Sequence, residues 1–115
     1  MTPGKYNIVC PQGSTLSQQM TYSIDDVPVN LTGYSARMQV REKYASTNTE
    51  LDLTTANGGI VLGGSAGTIT INVNASATGE LVAKDYVYDL ELVSSSLIVT
   101  RLIEGKFIVT PEVTK

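Results

Sequence analysis

Apolar and polar residues alternate with a period of two along most of this chain, and that rhythm dictates strands. Tyr34, Ala36, Met38 and Val40 alternate with Ser35, Arg37, Gln39 and Arg41, the pattern of a strand with one dry and one wet face. Ile69, Ile71 and Val73 alternate with Thr68, Thr70, Asn72 and Asn74 in the same way. Tyr86, Tyr88, Leu90 and Leu92 do so with Val87, Asp89, Glu91 and Val93. β-branched and aromatic residues crowd these stretches, which favours strand over helix.

Punctuation divides the strands. Asp25-Asp26 marks a hairpin turn between Met20–Ile24 and Val29–Leu31, and Asn57–Gly59 and Gly63–Gly67 flank the short apolar run Ile60–Leu62. Ser94-Ser95-Ser96 separates the tyrosine-bearing strand from Leu97–Glu104, and Gly105 interrupts the alternation before Phe107 and Val109, which predicts a bulge there. Ala75–Leu81 is the one segment that reads as helical, a single connecting turn with Leu81 packed inward.

These features predict an all-β fold, an immunoglobulin-like antiparallel β-sandwich of about eight strands with one short helical turn. Its expected core is Met20, Tyr22, Met38, Val40, Ile69, Ile71, Leu90, Leu92 and Phe107. Burial of each is worth roughly 1.5–3 kcal/mol. A length of 115 residues predicts one domain over 1–115, with 1–5 and 111–115 as extended tails. No apolar run is long enough to cross a bilayer, and the first residues lack the apolar stretch of a signal peptide.

Composition narrows the chemistry. Eight Lys and Arg against 11 Asp and Glu give a net charge of −3, which disfavours a phosphate-binding surface and hence a nucleic-acid partner. There is no His, so the usual Ser-His and Cys-His pairs and every His-containing metal site are absent. The lone Cys10 excludes an internal disulfide, and its neighbourhood reads as that of a small half-buried residue. Asp25, Asp26, Asp89 and Glu91 do not follow the spacing of a calcium loop. The stretch Asn57–Gly67 opens a strand instead of the helix that a phosphate loop needs. The expected class is therefore a non-enzyme without cofactor or metal and without membrane contact.

Arg37, Arg41 and Lys43 share the outer phase of one strand and its extension. Such a row grips an acidic partner or blunts an exposed sheet edge. With Tyr44, Asn48 and Glu50 in the following loop they form the expected partner-contact set, to which the glycine turns and both tails add. Six tyrosines raise a carbohydrate-binding alternative, although Tyr22, Tyr34, Tyr86 and Tyr88 share phase with the core.

The order GKYNIVCPQGSTL, PVNLTGYSARMQVR, GTITINV, ASATGEL and KDYVYDLELV…VTRLIEGKFIVTPEVT resembles small tailed-bacteriophage virion proteins. It is similar to the amino-terminal domain of the baseplate upper protein family from about Tyr6 to Val113. The resemblance implies an immunoglobulin-like sandwich and a structural role in the virion, as an adaptor docking tail-fibre or peripheral components to the baseplate or tail. Its implied partners are other virion proteins of baseplate, tail fibre or capsid, with many copies in a symmetric assembly. A capsid decoration protein is the alternative of the same class. That family continues into a stalk where this sequence stops at Lys115, which implies a free-standing module.

Overall fold

The computed structural model describes residues 3–114, so that Met1, Thr2 and Lys115 of the expected tails lie outside the described residues. In chain order the strands are β1 (Gly4–Lys5), β2 (Ile8–Pro11), β3 (Leu16–Thr21), β4 (Ser23–Ile24), β5 (Val27–Pro28), β6 (Ser35–Arg41), β7 (Leu51–Thr54), β8 (Ile60–Leu62), β9 (Thr68–Val73), β10 (Asp85–Val93) and β11 (Val99–Thr110). A 3-10 turn at Gly64–Ala66 precedes β9, and the short helix α1 (Ala75–Gly79) follows it. Setting aside the two-residue pieces β1, β4 and β5 leaves eight strands, the number expected, although β7 lies where no strand was predicted and the expected strand Val29–Leu31 does not form.

The larger sheet runs β1–β11–β10–β6–β7, with β2 also on β11, and the smaller runs β3–β9–β8. Their apolar faces meet in one core. Met38, Val40, Leu90, Leu92 and Phe107 enter it from one side, and Leu16, Ile60, Ile69, Ile71 and Val73 from the other. Met20 and Tyr22, expected inside, are only partly buried against that core, because β3 lies at the margin of its sheet. Cys10, expected half-buried, is fully buried beside Ile8. Burial pushes its thiol pKa up and disfavours the thiolate.

The sheets are not purely antiparallel. β1 and β2 run parallel to β11, with Gly4 opposite Ile103 and Ile8 opposite Phe107, so Gly4-Lys5 belongs to the sheet and not to a free tail. Between the two pairings Tyr6 turns its carbonyl out of the ladder to accept the Tyr88 hydroxyl at 2.7 Å. Gly105, opposite Tyr88, lies under that carbonyl. A Cβ there would overlap the Tyr6 oxygen and sit 2.8 Å from its carbon. The expected bulge is displaced from Gly105 to Leu102. Leu90 pairs with Ile103 and Glu91 with Arg101, so the extra residue, Leu102, is tucked in and buried.

Three local expectations are met with a mechanism visible. Asp25 and Asp26 both take positive φ, at 51° and 65°, the conformation of a two-residue hairpin loop, although the strands it joins are the short β4 and β5. Asn74 caps α1 by accepting the Ala77 N–H at 2.9 Å, and Leu81 is buried. Ser94–Ile98 closes β10 onto β11, and Ser94 Oγ accepts the Ile98 N–H at 3.0 Å.

At the tip of that last turn Leu97 holds φ 66° with 80% of its surface exposed. A branched side chain there is strained by about 1 kcal/mol and gains little from packing. Leu97→Asn, which tolerates the left-handed region, is therefore expected to raise the unfolding free energy by about 0.5 kcal/mol. Urea titration checks this, and a loss above about 1 kcal/mol would mean that Leu97 is held by contacts.

Candidate functional site

The wet face of the larger sheet is a lattice of charges laid down by cross-strand register. Arg37 stands opposite Glu91, which stands opposite Arg101, and Gln39 stands opposite Asp89, which stands opposite Glu104. Arg37 Nε meets Glu91 at 2.7 Å. Arg101 bridges the like-charged neighbours Asp89 and Glu104 at 3.4 and 3.6 Å, and Glu104 also pairs with Lys5. Partial burial and then the Glu91 charge raise the Asp89 pKa. The hydrogen bond from Lys5 lowers that of Glu104. Pairs this exposed are each worth about 0–1 kcal/mol, so the lattice sets the character of the face more than its stability.

Arg41 stands apart from the lattice. Among the described residues no carboxylate lies within salt-bridge distance of it. Its guanidinium instead donates to Gln39 Oε1 and to the Ser46 carbonyl, both at 2.8 Å. These two bonds fix the fork and leave its other N–H groups for a ligand. The β6–β7 loop that supplies Ser46 is itself tied down, since Ser46 Oγ accepts the Lys43 N–H at 3.1 Å and the Glu50 N–H reaches the Val40 carbonyl at 2.7 Å.

Over this floor lies an open hollow of about 420 Å³, lined by Arg37, Gln39, Arg41, Tyr44, Val87, Asp89 and Glu91. Tyr44 forms its rim and is 77% exposed.

Of the expected contact residues the fold brings Arg37, Arg41 and Tyr44 to one hollow. Asn48 and Glu50 line a separate depression with Glu42, Ser46 and Thr47. Lys43 lies past the end of β6, exposed, and lines neither. The row does not protect a sheet edge either, because β7 covers β6 on that side. Val87, Asp89 and Glu91 complete the hollow and were not part of the expected set. Their outer phase is legible in β10, but nothing local places β10 beside β6.

Burial decides between the two readings of the tyrosines. Tyr86 and Tyr88 are buried and Tyr22 is partly so, while the exposed Tyr6 and Tyr44 line different surfaces. Among the described residues no row of exposed aromatics is presented for stacking on a sugar. Among the described residues there is no group of three or more His, Cys, Asp and Glu placed to hold a metal ion.

No family model and no curated protein sequence matches this chain. A solved structure that it resembles is CopC from Methylosinus trichosporium OB3b, at 12% identity and a TM-score of 0.48, over 100% of this chain and 90% of that one. That is a likeness of fold. The expected role as a tailed-phage adaptor is corrected here: a solved protein matched along the whole chain is CopC. The capsid-decoration alternative is set aside with it.

Proposed function

We propose that this chain is a non-catalytic recognition domain that seats a carboxylate-bearing segment of a partner protein on the wet face of its larger sheet. The observation that carries this reading is Arg41, a guanidinium oriented by two protein hydrogen bonds and without a salt bridge among the described residues, in a hollow whose own carboxylates, Asp89 and Glu91, pair with Arg101 and Arg37. An oriented fork loses less entropy on binding a carboxylate than a free one does, and Tyr44 beside it offers a rigid amphipathic wall for the next residue. Binding in place of chemistry is supported by the chain's nucleophile inventory, in which there is no His and the thiol is buried with a raised pKa.

A random heptapeptide library panned on the immobilised chain tests this. Sequences with Asp or Glu next to an apolar or aromatic residue are expected to be enriched. Arg41→Met is expected to weaken their binding by roughly tenfold or more without changing the circular dichroism spectrum. Arg41→Lys is expected to restore only part of it. No enrichment, or enrichment indifferent to Arg41→Met, overturns the reading.

A further inference from the structure

We infer that two copies of this chain associate side by side through β3, the unprotected edge of the smaller sheet. The four sheet margins are unequal. β7 is four residues long and carries Asp52, β8 is three residues long between glycines, and β2 ends at Pro11. Short length, charge and proline are the devices that keep an edge from pairing. β3, with the sequence LSQQMT, has none of them.

Among the described residues β9 is the only strand that pairs with β3. Alternate residues of β3 therefore direct their N–H and C=O groups outward, ready for another strand. The flank around it is equally plain. No charged residue occurs between Lys5 and Asp25, so β2 and β3, the edges of both sheets on this side, are uncharged together. The Tyr6 hydroxyl, bonded to Gln18 at 2.6 Å, links the two edges. Between them a trough of about 340 Å³ is lined by Tyr6, Met20, Tyr22, Leu102 and Ile103.

The occupant that suits this flank is a second copy. A net charge of −3 makes two copies repel elsewhere, while here they meet without like charges and with self-complementary strand edges. Register follows from the pleat. Leu16, Gln18 and Met20 face inward, and pairing must keep inward residues opposite inward ones. The two-fold axis therefore passes through Gln18 or Gln19. Either choice puts Gln19 of one copy opposite, or diagonal to, Gln19 of the other, within reach of a long side chain. Five paired residues of β3 in each copy and the trough make a small interface, so the association is reversible. This pairing does not involve the Arg41 hollow, which lies on the outer face of the other sheet.

Sedimentation velocity over a concentration series tests it with the full chain. The unmodified protein is expected to move from monomer to dimer as concentration rises. Gln19 is exposed, so Gln19→Lys and Gln19→Glu are expected to keep the native circular dichroism spectrum and melting temperature. Each alone is expected to weaken dimerisation by at least about fivefold, and an equimolar mixture of the two is expected to recover it. Three outcomes overturn the inference: a monomer at every concentration up to about 1 mM, a Gln19→Lys variant that dimerises like the parent, or a mixture that stays monomeric.

Discussion

Replacing Phe107 with alanine is expected to lower the unfolding free energy by about 4 kcal/mol. This is the only phenylalanine of the chain and it is fully buried. It lies opposite Tyr86 on one side and Ile8 on the other, at the joint where the amino-terminal strand, β10 and β11 come together. Truncation leaves a void that backbone on two flanks prevents from closing, and the cavity adds to the lost transfer energy. A domain of this size has about 5–15 kcal/mol in total, so the melting temperature is expected to fall by about 15 °C or more. With no tryptophan in the chain, urea unfolding followed by tyrosine fluorescence is the direct readout. A loss below about 1.5 kcal/mol would mean that the sheets are not packed around this residue.

Gly105→Val is expected to cost about 3 kcal/mol, with a distinctive local signature. Any Cβ at this position meets the Tyr6 carbonyl, and main-chain atoms cannot swing away as a flexible side chain can. The same carbonyl accepts the Tyr88 hydroxyl, a buried group whose pKa burial raises well above the usual tyrosine range. Displacing Tyr6 strands that hydroxyl, which adds about 1–3 kcal/mol of desolvation if no other partner is found. Amide hydrogen exchange is expected to speed up first in residues 4–11, where β1 and β2 dock on β11, and to leave β6 and β9 protected. Uniform loss of protection, or none, would refute the account of Gly105 as the seat of Tyr6.

The reading of Gly105 illustrates how far local pattern reaches. The break in alternation at that position is visible in the residues themselves. Its cause is not, because Tyr6 lies at the far end of the chain. The bulge, predicted at Gly105, sits at Leu102, where a register shift against β10 buries Leu102 beside the partly buried Ile103. The candidate hollow divides in the same way. Arg37, Gln39 and Arg41 share a phase within seven residues of β6, so their common face was legible. Val87, Asp89 and Glu91 reach them only through strand pairing, and the hydrogen bonds that orient Arg41 depend on how the following loop folds back.

What the residues determined by themselves is most of the longer elements and the face each turns inward. A period of two is a property of the extended backbone, and Asp25-Asp26 or Asn74 ahead of α1 act on their immediate neighbours. Only the tertiary structure decided which strands are partners: that residues 4–11 run parallel to the carboxyl-terminal strand, that Cys10 is sealed in the core, and that β3 is left with an open edge. Pairing is a contest among all strands for the same hydrogen bonds and the same apolar surface. Its outcome depends on the summed fit of the whole core and is written in no single segment.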